Sequence, residues 1–226
     1  MATAGIKVLK ALIMGPPGCG KGTISERIVK DFAMIHVASG DNLRRQILQG
    51  TELGKKAEPY IDDGQLVPDE IMFDLILGEL AKLKNANWLL DGFPRTVTQA
   101  QAVQKIEPKE VVIDLNVPFE VIIERIKGRW VHIPSGRIYH TEFSPPKVPG
   151  KDDVTGEPLE QRHDDKPETV QKRLEAYKKM TEPVLNFYRD EGILTEFTGN
   201  YSNEIWPHVH KFLSTKITPL QYTVYK

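Results

Sequence analysis

The stretch Gly15-Pro16-Pro17-Gly18-Cys19-Gly20-Lys21-Gly22-Thr23 separates two patterns of different period. Ahead of it, Val8-Leu9-Lys10-Ala11-Leu12-Ile13-Met14 is a short apolar run that leads into glycine, as a buried strand does. Behind it, a helical pattern runs from about Lys21 to Asp31. In a glycine-rich turn placed this way, backbone N–H groups can turn inward around a phosphate chain. The helix N-terminus adds partial positive charge and Lys21 adds a full one. The strict phosphate-loop pattern has Ser or Thr directly after the lysine; here Gly22 intervenes and the hydroxyl is Thr23, so the motif is a variant. The bland alternative is a glycine-rich structural turn. Cys19 reads as a small residue that fits the loop, because a lone thiol has no resolving partner for redox work.

Outward from the loop, further short apolar runs appear at Trp88–Leu90, Val111–Leu115 and Ile193–Phe197. Helical patterns lie between and after them, at Glu70–Lys84, Phe119–Ile126, Glu168–Arg189 and Glu204–Leu213. Strands that alternate with helices predict an α/β fold with a mostly parallel sheet covered on both faces. From Gly128 to Asp165 the chain is polar and rich in Gly, Pro and Asp, with turn signals at Ser135-Gly136, Ser144-Pro145-Pro146 and Val154-Thr155-Gly156. A loop of that length without structure of its own is improbable, so a small β-rich insertion is expected, with Trp130, Tyr139 and Phe143 as a minor core.

The chain has 226 residues, with 30 Lys plus Arg against 31 Asp plus Glu, a net charge of −1. That balance argues against a dedicated nucleic-acid binder. No apolar run approaches the length of a membrane-spanning helix. A single cysteine excludes an internal disulfide and a multi-cysteine zinc site. The first ten residues lack a secretory apolar core and a long Arg- and Ser-rich transit segment.

Six arginines stand beside turns or at the borders of the insertion: Arg44, Arg95, Arg125, Arg129, Arg162 and Arg173. Guanidinium suits bidentate phosphate contact, and six exceed what one triphosphate needs, which suggests a second phosphorylated ligand. Asp91 follows an apolar strand in the place of a Walker B acid and can hold Mg²⁺ through water; Asp41, in another turn, could hold a metal-bound water. No nucleophile elbow and no His/Cys cluster is present. Phosphoryl transfer needs neither, since positioning and charge neutralisation carry it.

Taken together, the phosphate loop, Ser39-Gly40-Asp41-Asn42-Leu43-Arg44, Asp63-Gly64-Gln65-Leu66-Val67, Leu89–Arg95 with Gln99, and Arg162-His163-Asp164-Asp165 with Arg173 resemble the adenylate kinase family in its long-lid form. Asp91-Gly92-Phe93-Pro94-Arg95 followed by Gln99 is the most specific of these. Arg129-Trp130-Val131-His132, Asn116–Glu120 and Ile205-Trp206-Pro207 are most similar to the mitochondrial members that take GTP as donor. The resemblance implies a core domain at 1–37, 68–127 and 166–226, a helical AMP-binding segment at 38–67 and a lid at 128–165. It implies that Gly18, Cys19, Gly20, Lys21, Gly22, Thr23, Arg125, Ile138, Tyr139 and Ser202 bind the donor nucleotide. It assigns AMP to Ser39, Arg44, Gln65, Leu66, Val67, Gly92, Phe93, Pro94, Arg95, Gln99, Arg162 and Arg173. Lys21 and the arginines at 95, 125, 129, 162 and 173 would carry the transfer. Some relatives staple the lid with four cysteines and zinc; the matching positions here are His132, Ser135, Asp152 and Thr155, which suit a hydrogen-bond network rather than a metal.

The reading is thus a monomeric nucleoside monophosphate kinase that moves the γ-phosphoryl group of GTP, or of ITP, to AMP with Mg²⁺. ATP as donor is the alternative. A GTP-binding switch is a remote one: Asp153-Val154-Thr155-Gly156 matches one switch motif, but no core strand precedes it and Asn-Lys-x-Asp is absent. A scaffold that has lost catalysis has no support, since Lys21, Asp91 and the arginines are in place. The resemblance also implies the mitochondrial matrix, with which the basic residues Lys7 and Lys10 are compatible; the cytoplasm is the alternative.

Overall fold

The computed structural model describes residues 8–83 and 85–220. Lys7 and Lys84, on which parts of the reading above fall, lie outside them. In chain order the elements are β1 (Lys10–Met14), α1 (Lys21–Phe32), β2 (Ile35–Ala38), α2 (Ser39–Leu48), α3 (Glu52–Asp62), α4 (Asp69–Leu80), β3 (Trp88–Asp91) and α5 (Val97–Ile106). There follow β4 (Val111–Asn116), α6 (Phe119–Lys127), β5 (Arg129–His132), β6 (Arg137–His140), α7 (Pro167–Ala176), α8 (Glu182–Asp190), β7 (Leu194–Thr198) and α9 (Ser202–Ser214). Among the described residues, no helix is long and apolar enough to cross a membrane.

The central sheet runs β2-β3-β1-β4-β7 with every pair parallel. Side chains alternate across a strand, and β1 shows why both faces are covered. Ala11 and Ile13 join the core that α1, α6 and α9 complete with Ile24, Ile28, Ile122 and Trp206. Leu12 and Met14 join the opposite core, built on α4, α5 and α8 with Ile76, Val103 and Tyr188. The C-terminal ends of β1 and β3, with the loops that follow them, face the same side, where ligands of open parallel sheets bind.

Two elements depart from the sequence pattern. The apolar periodicity of Glu168–Arg189 predicts one helix, but Tyr177–Thr181 forms a π-helical turn between α7 and α8. Pro183 stands at the start of α8 and has no N–H to give back along the helix, which opens the ladder there. The 128–165 insertion contains the antiparallel hairpin of β5 and β6, extended by bridges from Val131 to Glu160 and from His140 to Ser144. Its minor core differs from expectation: Val131, Tyr139 and Leu159 are buried, whereas Phe143 is 52% exposed and stacks on His140 instead.

Candidate active site

The phosphate loop joins β1 to α1. Gly20, with φ of 100°, occupies the left-handed region at the N-cap of α1, and a Cβ there would stand 2.7 Å from Ser202 Oγ. Only glycine meets both demands. The Lys21 ammonium folds back to donate to Gly15 O at 2.8 Å and Pro16 O at 2.9 Å, so the cation is held over its own loop. Gly18, Gly20, Lys21, Gly22 and Thr23 line a cleft of about 730 Å³. Cys19 does not. Its side chain is fully buried beneath the loop, its N–H turns back to Pro16 O at 3.2 Å, and burial raises its thiol pKa. The thiol thus packs beneath the loop rather than facing the cleft.

All six arginines line this cleft, although they come from α2, the β3–α5 loop, α6, β5, the segment after the hairpin and α7. Arg125 donates to Cys19 O at 2.9 Å and Asn200 O at 2.5 Å, which sets its plane between the phosphate loop and the start of α9. Arg129 grips Asp165 with two N–H groups. Arg173 donates to Asp164 O at 2.8 Å and pairs with Asp164 and Asp165 at 3.1 and 3.2 Å. Arg162 reaches across to Asp41 Oδ1 at 3.4 Å, and Arg44 bonds the same oxygen at 2.5 Å. Arg95 donates to Gly92 O at 2.7 Å.

This crowding of cations shows in the protonation equilibria. Desolvation inside the cleft, then the facing Arg173, pulls Arg95 down to about 10. Burial, then Arg44 and Arg129, pulls Arg162 down to about 9. Both stay protonated at neutral pH, and an anion in the cleft would offset their desolvation and mutual repulsion. Burial works against the charge of Asp41, yet Arg44 and Arg162 outweigh it and hold the carboxyl below its usual range.

A smaller lobe of about 60 Å³ opens off the cleft, lined by Arg44, Gln65, Leu66, Val67, Phe93, Arg95, Gln99 and Arg173. Gln99 is held there by two bonds: its Oε1 accepts from Arg95 N at 2.7 Å, and its Nε2 donates to Asp69 at 2.6 Å. One N–H and one lone pair of the amide remain for a purine edge. Gly92 and Pro94 line the main cleft beside Arg95. Ser39 lines neither space; its side chain is fully buried, and its Oγ would stand 2.7 Å from a Cβ on Gly92. Among the described residues this hydroxyl, placed behind Gly92, has no hydrogen-bond partner.

From the hairpin, Ile138 and Tyr139 line the cleft opposite the phosphate loop, with Ile138 packed over Gly22. Ser202 lines it from the first turn of α9. The hairpin is braced by Asp152, whose buried carboxylate accepts from Arg137 at 2.7 and 2.6 Å, Tyr139 at 2.8 Å and Thr155 Oγ1 at 2.9 Å. The Arg137 fork holds its pKa far below the usual carboxylate range. His132 bonds Ser135 and Glu157, each at 2.7 Å.

For a divalent cation arriving with a nucleotide, Asp91 fits. It lines the same cleft as Thr23, and His36 Nε2 lies 3.5 Å from its carboxylate. Burial lowers the His36 pKa, but Asp91, Asp41 and Glu26 together overcome this and raise it. Asp41 does not fit, because two guanidinium groups already claim its carboxylate. Glu26, Arg27, His36, Arg137, Tyr177, Thr181, Tyr201 and Asn203 also line the cleft and were not foreseen. Asp164-Asp165, directly after Arg162-His163, was the available signal for the carboxylates that hold Arg129 and Arg173.

A phosphate loop on a parallel sheet, facing arginines from six parts of the chain, defines a P-loop phosphotransferase. The adenylate kinase family model matches residues 13–193, and the chain belongs to that family. It is 50% identical over 211 residues to a Drosophila melanogaster protein named "GTP:AMP phosphotransferase, mitochondrial", a match that covers 93% of this chain and 98% of that protein. Two Saccharomyces cerevisiae proteins of the same name are 42% identical over 221 residues and 44% identical over 211. These matches cover 93% and 89% of this chain, and 94% of each yeast protein.

Proposed function

We propose that this kinase transfers the γ-phosphoryl group of GTP to AMP, reversibly, giving GDP and ADP. The observation that carries the reading is the convergence of Arg44, Arg95, Arg125, Arg129, Arg162 and Arg173 on one cleft beside the phosphate loop. GTP as donor is supported by the names of the fly and yeast relatives. The same names support the mitochondrion as its location.

In this reading 38–67 is the AMP segment, 128–165 the lid, and the rest the core. The donor phosphates lie on the backbone of Gly18 and Gly20–Thr23, under Lys21. AMP enters the smaller lobe, its base against Gln99 and its phosphate between Arg44 and Arg95. Asp91 and Thr23 would hold magnesium arriving with the donor, which would supply charge neutralisation on the phosphate chain. Arg125, Arg129, Arg162 and Arg173 then surround the transferring group, and the closed lid excludes the water that would otherwise accept it. No protein nucleophile takes part; the AMP phosphate oxygen attacks in line.

The test is ADP formation from Mg²⁺ and AMP with GTP, ATP or ITP supplied separately, against a control without AMP. Rapid AMP-dependent transfer from GTP is expected, and Lys21→Met should lower kcat by about 10³-fold with the fold intact. Hydrolysis of GTP that ignores AMP, or near-normal turnover in the variant, would refute the reading.

A further inference from the structure

We infer that Asn203, its amide fixed by Arg27, reads the donor base and selects a purine with a keto oxygen at C6 over adenine. This deepens the GTP reading above and rests on it. The path of the donor follows from the close packing at Gly20. A Cβ there would stand 2.7 Å from Ser202 Oγ and 3.4 Å from Arg125 Nη1, so the phosphate loop abuts the first turn of α9. Beyond Arg125 the wall of the cleft is aromatic. Phe143 stacks on His140 with ring centroids 4.3 Å apart and meets Tyr201 edge-on at 5.8 Å. Phe143 and Tyr201 are nonetheless 52% and 46% exposed, as rings waiting at the rim for a flat partner would be. A base that leaves the phosphates at Gly20 and lies along these faces meets Arg27 and Asn203, which line the same cleft.

The orientation of the Asn203 amide is set by chemistry. Arg27 Nη2 lies 2.5 Å from Asn203 Oδ1, and its Nη1 donates to Ser202 O at 3.4 Å. A guanidinium only donates, so the amide oxygen is the end that faces it. The Asn203 NH₂ group is left as a pure donor toward the base. Guanine and hypoxanthine present an O6 acceptor to such a donor, whereas adenine presents its own N6–H donors and is repelled. Arg27 is thus a positioning residue: it locks the amide against the flip that would welcome adenine. Because the pair is exposed to solvent, the discrimination expected is about tenfold, far below that of a buried reader.

The experiment measures kcat/KM for GTP, ITP and ATP at saturating AMP in the wild type, Asn203→Asp, Asn203→Ala and Arg27→Met. The wild type should use GTP and ITP alike and ATP less well. Asn203→Asp offers acceptors only, so the GTP/ATP ratio should fall about tenfold. Asn203→Ala and Arg27→Met should lower that ratio while the GTP/ITP ratio holds. A GTP preference that survives in both Asn203 variants would overturn the inference and leave the donor reading standing, as would an equal fall for all three nucleotides. ITP used as poorly as ATP by the wild type would also overturn it, by moving recognition to the 2-amino group. A wild type with no preference for GTP would overturn the donor reading and the inference with it.

Discussion

Asp114 shows how a single residue records the packing around it. It stands on β4 opposite Met14, only 3% exposed, and among the described residues its Oδ1 has no hydrogen-bond partner. Burial, then Glu196, raises its carboxyl to about 6. The folded chain therefore holds this proton more tightly than the unfolded chain does, and the stability it confers below pH 4 is lost as the pH rises to about 6. Asp114→Asn removes the buried charge and should stabilise the protein at pH 7 by at most about 3 kcal/mol, with the difference vanishing near pH 4. Urea unfolding at the two pH values measures this; superimposable curves at pH 7 would contradict it. Lys21 was legible in the sequence because its partners, Gly15 O and Pro16 O, belong to its own motif. The state of Asp114 was not, because Glu196 and Lys21 reach it from elsewhere in the fold.

At the scale of the element, the π-turn between α7 and α8 has a consequence for the site. It turns Thr181 so that its hydroxyl donates to Arg95 O at 3.0 Å, tying the helix that carries Arg173 to the loop that carries Arg95. Thr181→Val keeps the shape and removes the bond. Stability should fall by about 1 kcal/mol, and kcat by about tenfold through misplacement of Arg95. Steady-state kinetics beside thermal melts would reveal it, and a variant with unchanged kcat would leave the bond merely structural. In the hairpin, Asp152→Ala strands the Arg137, Tyr139 and Thr155 donors that converge on it. Trypsin should then cut at Lys147 or Lys151 much faster, while the main melting transition moves little; unchanged cleavage would show that the network does not brace the hairpin. The interior strands and the helices packed on them were legible because their apolar periodicity is strong. β2 escaped notice because, at the sheet edge, Ile35 is 43% exposed and His36 interrupts the run. α5 escaped because its apolar positions are small or few; Thr96, which accepts from Gln99 N at 3.1 Å, marks its start.

Across the whole molecule, the 128–165 insertion and the segment after it close over the 38–67 region. Arg162 meets Asp41, the Gly136 turn lies against the Asp41 side chain, and Lys172 pairs with Asp63. The contacts of Arg44 and Arg162 with Asp41 are of the kind each guanidinium would make to phosphate, so on the proposed function nucleotide entry would exchange carboxylate partners for phosphoryl ones. The six arginines could be named from their motifs, but their meeting in one space depends on how three distant stretches fold over the sheet, which no local pattern encodes. The central claim is that donor and acceptor sites face each other in a single enclosure. Calorimetric titration with a guanosine–pentaphosphate–adenosine conjugate tests it most directly. One conjugate should bind per chain and expel both GTP and AMP; a conjugate that displaces only one of them, or that binds twice, would contradict the account.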